Sequence, residues 1–309
     1  MKKTYQYSAL LGLASLLTTS LTAGQTESIQ SPAPDLTSGI VGHLGIFTGI
    51  NSVREADSNP DEGKVGFASL DGSITVPFAD TWLVSLDAYA RHDDFKKEED
   101  FDDQEDPERE YMLGAHLLYQ FTPDTRAGLL VGYGDTLAQD HDKDDAYNVW
   151  MIGGEVHHFY DENLMVYAQF GYAFKGRDGS DDGEGFTGGL FSRVGVTYFS
   201  GERSTLNLDI EMAETESYID GDDPGFFFGA SVNYQHQLME SMPLFFTCFG
   251  RYDYINSTDE GDSLNEMQVG IGLRYYFGAD SPRGAARKGL SIGMPRLPTR
   301  ASAWTEYID

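Results

Sequence analysis

Residues 111–121 read YMLGAHLLYQF. The odd positions are Tyr111, Leu113, Ala115, Leu117, Tyr119 and Phe121; the even ones are Met112, Gly114, His116, Leu118 and Gln120. One set is apolar throughout, and the other mixes small, polar and apolar side chains. A period of two puts successive side chains on opposite faces of an extended backbone, so the stretch is a strand. The alternation returns at 164–175, where Leu164, Val166, Ala168, Phe170, Tyr172 and Phe174 oppose Gln169, Gly171 and Lys175. It returns again at 267–277, with Met267, Val269, Ile271, Leu273, Tyr275 and Phe277 against Gln268, Gly270, Gly272 and Arg274.

Twelve such segments follow one another, beginning near Ile40, Val65, Trp82, Tyr111, Arg126, Tyr147, Leu164, Phe186, Thr205, Phe226, Leu244 and Asn265. Most run about 10–12 residues, long for a soluble domain but suited to a strand tilted across a bilayer. Ten or fourteen strands stay open, because strand ends are weakly marked in sequence. The fold class is therefore all-β: a transmembrane antiparallel up-and-down β-barrel of about 12 strands.

The connections support it. PFADT, TPDT, DEN, SGERS and LMESMP are short and rich in turn residues. They alternate with longer acidic connections, among them residues 93–110, DDFKKEEDFDDQEDPERE. The six long connections hold 32 acidic residues against seven basic, so −25 of the chain's −29 lies on alternate links. One rim facing outward and one facing the periplasm would produce that split.

Within the strands, Asp71, Asp87, Arg91, Arg126, Glu155, Lys175, Arg193, Asp209, Glu211, Arg251, Asp253 and Arg274 all fall on the mixed face. These charges are expected to line a wet lumen, together with His43, His116 and His157, while the apolar face meets lipid. Aromatic residues crowd the strand ends on the apolar face, as interfacial girdles require.

Composition bounds the rest. The one cysteine, Cys248, excludes an intrachain disulfide, and its parity suggests a small buried hydrophobe. A pI near 4.3 argues against nucleic acid as a partner. Lys2 and Lys3, an apolar run and then small residues mark 1–23 as a signal peptide. Residues 24–37 read as a flexible periplasmic lead-in, and the barrel is placed at 38–278.

The whole resembles a bacterial outer-membrane β-barrel of the porin-like class, over roughly residues 38–278. MQVGIGLRYYF resembles the family's carboxy-terminal assembly signal, with Tyr275 and Phe277 in its closing positions. In the family that aromatic usually ends the chain, whereas 32 residues follow here. The tail, 279–309, carries Pro, Gly and several basic residues, and is expected to be a disordered periplasmic end. A sharper alternative has its basic residues touching the acidic protein itself or the cell wall. The resemblance implies outer-membrane lipid, lipopolysaccharide and the assembly machinery as partners; it assigns no oligomeric state.

No catalytic residue is assigned. His141, between Asp140 and Asp142, sits at the outward rim but lacks spaced partner carboxylates. DGSDDGEG mimics the first half of a calcium loop but puts Gly189 where the bidentate Glu belongs. The weak metal candidates are Asp178, Asp181, Asp182, Asp220, Asp222 and Asp223, with loosely held Ca²⁺ or Mg²⁺ as the ion and no other cofactor. The functional expectation is a small passive channel for ions or small polar solutes with a cation-favouring outer mouth. The alternatives are a non-conducting surface barrel acting through its loops, by adhesion or cation bridging to lipopolysaccharide, and an outer-membrane hydrolase.

Overall fold

The computed structural model describes residues 39–55, 62–94, 109–137, 146–175, 188–215, 225–257 and 263–296. Twelve strands follow in order: β1 (Val41–Glu55), β2 (Glu62–Ala79), β3 (Trp82–Asp94), β4 (Arg109–Thr122), β5 (Thr125–Leu137) and β6 (Ala146–Phe159). They continue as β7 (Leu164–Lys175), β8 (Gly188–Ser200), β9 (Ser204–Thr215), β10 (Gly225–Met239), β11 (Met242–Ser257) and β12 (Ser263–Phe277), and a short helix, α1 (Pro282–Arg287), comes after them. Each strand pairs antiparallel with its chain neighbours, and β1 pairs with β12 from Gly42↔Phe277 to Glu55↔Leu264. The sheet therefore has no free edge, a condition for backbone in hydrocarbon, where water cannot satisfy an unpaired amide.

The strands are longer than expected, 12 to 18 residues. Their outer ends rise above the membrane belt. Asp93, Asp94, Arg109 and Glu110, read as loop from the sequence, belong to β3 and β4. Inward Arg91 meets Asp93 there, so pairing continues where the interior still satisfies side chains. The signal peptide, the lead-in and the middle of the acidic 93–110 run lie outside the described residues.

The outward face is apolar: Leu44 is 64% exposed, Leu129 64% and Ile152 58%. Aromatic side chains bound this belt. Phe78, Trp82, Phe121 and Tyr198 lie outward near the short turns, while Tyr111, Trp150, Phe174 and Tyr252 lie outward at the other end. Trp82, Tyr119 and Phe121 pack edge-to-face at 5.0 and 4.8 Å. Tyr111 and Phe121 are ten positions apart on β4, which at a tilt near 40° gives a belt of about 25 Å, the hydrocarbon height barrels present. Cys248 is on this lipid side and half-buried, so parity located its face correctly but not its burial. A charge placed mid-belt should be poorly tolerated. Leu129→Arg is expected to destabilise the barrel by about 2–4 kcal/mol, read as a lower urea midpoint in lipid vesicles.

At Gly278 the backbone turns from β12 toward the interior with φ +71°. A Cβ there would lie 2.0 Å from the Ile40 carbonyl oxygen, so only glycine fits the turn.

Candidate functional site: a lumen entered by the C-terminal segment

The described part of the tail does not hang free. Residues 279–296 enter the barrel past the short-turn rim and pack against its inner wall; 297–309 lie outside the described residues. The expectation of a disordered tail is corrected for this part, and the reason is chemical. Leu290, Ile292 and Met294 alternate with Ser291 and Gly293, giving the segment apolar side chains to bury. Leu290 joins Val41, Phe245 and Tyr276; Ile292 packs on Phe159, Met165 and Phe199; Met294 enters a layer with Tyr89, Met112, Leu130 and Met151.

At the rim, α1 is held by charge. Ser281 caps its N-terminus by accepting from the Gly284 N–H at 3.0 Å, and Pro282 follows. Arg283 pairs with Glu202 in the β8–β9 turn and donates to Asn163 in the β6–β7 turn. Arg287 pairs with Asp124 in the β4–β5 turn at 2.5 Å, donates to the Asp161 carbonyl at 2.9 Å, and stacks over Phe159 at 3.9 Å. One helix turn thus ties three short turns together. Burial pushes the Glu202 carboxyl up, but hydrogen bonds from Ser281 and Arg283 outweigh it and hold the group below its ordinary 4.5. A depressed carboxyl contributes stability above the ordinary value and loses it as pH falls through the folded one. The tail is therefore expected to become more protease-sensitive on acidification below the ordinary carboxylate range. Glu202→Gln should show that sensitivity already at neutral pH.

Deeper in, the segment has no regular structure, so its carbonyls need partners from the wall. Arg126 donates to the Ala286 carbonyl at 2.6 Å, and Gln169 to that of Gly293 at 2.9 Å. Arg193 fans across the carbonyls of Ile292, Gly293 and Met294 at 3.3–3.4 Å. The Arg296 amide donates to Glu211 at 3.2 Å, and its guanidinium lies 3.7 Å over the Tyr89 ring. Gly114 and Gly132 form the slot for Met294: a Cβ on either would come within 2.2–2.3 Å of its side chain.

A buried charge cluster anchors the middle. His116 Nδ1 lies 2.7 Å from Glu155 and its Nε2 2.6 Å from Asp87; His157 Nε2 lies 3.3 Å from Glu155. Ser291 donates to Asp87 at 2.9 Å and sits 3.3 Å from His116 Nε2. Serine, histidine and carboxylate in this order resemble a hydrolase triad. The distances say otherwise: both His116 nitrogens donate to carboxylates, leaving no lone pair to take a hydroxyl proton. The cluster holds the tail by charge and hydrogen bonds.

Of the twelve strand charges singled out in the sequence, eleven have described side chains, and all eleven point inward. Lys175 ends β7, and its side chain lies outside the described residues. The others meet in groups: Asp71 with Arg274 and, at 3.5 Å, His43; Asp209 and Glu211 with Arg193; Glu211 and Asp253 with Arg251 at 2.7 Å each. Tyr275 faces outward and Phe277 closes the β1 pairing, its ring lying where a Gly42 Cβ would be. The six metal candidates and His141 lie outside the described residues. Ser291 and Met294 were not singled out in the sequence, and Gln169 was read only as a mixed-face residue of its strand. The alternation through residues 290–294 was the available signal, masked by glycine and by its position after the last strand.

Between the tail and the wall, chiefly the strands from β7 through β12 to β3, lies a cleft of about 310 Å³. Its lining mixes polar side chains with apolar surface, including the part-buried ring of Phe249.

No protein-family model matches the chain, and no curated protein sequence matches it. Solved barrels do at the level of shape. The CymD monoaromatic hydrocarbon channel aligns at 11% identity with a TM-score of 0.45, over 81% of this chain and 92% of that one. The translocator domain of the autotransporter NalP from Neisseria meningitidis aligns at 12% and 0.44, over 86% and 96%. The KdgM porin aligns at 11% and 0.41, over 74% and 99%. The closed sheet, outward apolar belt, two aromatic girdles and charged interior are the chain's own features, and by them it is a closed twelve-stranded antiparallel β-barrel of membrane-spanning design.

Proposed function

We propose that the barrel is a narrow porin-like channel for small polar solutes, with a bore set by its own C-terminal segment. One observation carries this reading: residues 291–296 lie against β3–β9 and leave a cleft of about 310 Å³ between them and the rest of the wall. Interiors of eight-stranded barrels are filled by side chains, whereas twelve strands enclose more space than the inward side chains occupy. The −25 on the outer connections raises the local cation concentration at that mouth, within a screening length of about 8 Å at physiological salt. Single-channel recording in planar bilayers tests both parts. Small discrete steps with a cation-leaning reversal potential are expected under a salt gradient. Absence of any steps removes the channel reading and favours the non-conducting surface barrel, which the tail's occupation of the lumen also suits.

A further inference from the structure

We infer that the cleft selects an uncharged, hydroxyl-rich solute of about one sugar ring. This rests on the channel reading and names its substrate class. At about 310 Å³ the cleft is at the lower end of small-molecule sites, roughly 300–1,000 Å³, with room for about ten waters.

Its charges are already spoken for. Asp71 is engaged by Arg274; Asp209 accepts from Arg193 and, at 2.9 Å, from Ser231; Glu211 and Asp253 hold Arg251. A charged or zwitterionic solute would have to take a partner away from one of these buried pairs, leaving a charge uncompensated. A neutral solute need not.

What remains open to a ligand is hydrogen-bonding capacity. Ser73 Oγ, His43 Nδ1 and Asp87 Oδ1 line the cleft and have no hydrogen-bond partner in the protein; Asp71 Oδ1, Arg193 Nε and Arg274 Nε share that lack but belong to groups already in ion pairs. Ser73 and Asp87 are both over nine-tenths buried, and they lie side by side: Ser73 pairs with His43 on one side and Asp87 on the other. Hydroxyl, imidazole nitrogen and carboxylate oxygen together suit a solute with several hydroxyls, which both donate and accept. Beside this group the part-buried Phe249 ring is backed by Phe47 at 5.9 Å and Phe67 at 6.1 Å. The Phe249 ring suits the C–H side of a sugar ring. A solute with an apolar face and a hydroxylated rim meets both surfaces along one wall.

The test is swelling of vesicles loaded with the full-length protein, using glucose, glucuronate, glucosamine, glycine and glycerol, with glucose titrated against single-channel current. Glucose is expected to enter severalfold faster than its two charged analogues and to block current saturably. Ser73→Val should weaken that block severalfold. Entry of glucuronate, glucosamine or glycine as fast as expected for its size, without a glucose preference, overturns this inference and leaves the channel reading standing. If neither the full chain nor one lacking residues 280–309 passes glycerol or salt, both fall together. Block by glucose that Ser73→Val does not change overturns the placement of the site.

Discussion

A protein ending at Ala279 should conduct severalfold more current per channel than the full chain, with broader solute admission. The segment removed supplies Leu290 and Met294 to the buried layers, and Arg283 and Arg287 to the rim contacts. The barrel does not need it for closure: fourteen residue pairs from Gly42↔Phe277 to Glu55↔Leu264 join β1 to β12. The exposed apolar exterior is likewise untouched. Truncation does uncover the buried carboxylates and guanidiniums that faced the tail, so water must enter with its removal. Gly114→Leu with Gly132→Leu, in the full chain, gives an independent route to the same state. Each added side chain occupies the space of Met294, whose atoms lie 2.2–2.3 Å from the would-be Cβ positions. Both proteins should keep the heat-dependent gel mobility of a closed barrel. A truncated, heat-modifiable barrel with unchanged conductance would show that the tail does not set the bore.

His116→Leu is the second large effect. His116 lies between Asp87 and Glu155 and is 2% exposed, with both carboxylates over nine-tenths buried. Removing the cation leaves two anions facing one another, and breaking a buried pair in this way costs about 3–5 kcal/mol. Replacing the entire cluster by neutral groups of like shape costs far less, because no uncompensated charge stays behind. His116→Leu should therefore lower the urea midpoint strongly, and His116→Leu combined with Asp87→Asn and Glu155→Gln should recover much of it. The single variant should also loosen the tail, since Ser291 is held by Asp87. Limited proteolysis reads that second effect separately from barrel stability.

The barrel was legible because its rule is local. Strand alternation needs only neighbouring residues, and every one of the twelve segments begins within about three positions of its strand. The inward parity of Asp71, Glu155 or Arg251 follows from the same rule. Partner choice does not. Arg126 meets the carbonyl of Ala286, 160 positions away, and Ser291 meets Asp87 across 204. Nothing in the local pattern ranks such contacts. The tail was misread for a related reason: its apolar residues are few, its glycines suggest disorder, and its binding surface exists only after twelve strands have closed. Cys248 shows the converse error. Parity gave its face, but an apolar face in a membrane barrel is the one turned away from the protein's interior.

The position of this segment in the chain also sets an order of events. Arg287, Ser291 and Gly293 contact groups from β3 to β7 and their turns, and Leu290 needs β1, β11 and β12 beside it. No part of the wall offers that surface until the first and last strands have met. Insertion of the tail is therefore expected to follow closure of the barrel. The entrance is the short-turn rim, so that step is expected to proceed from that side of the membrane.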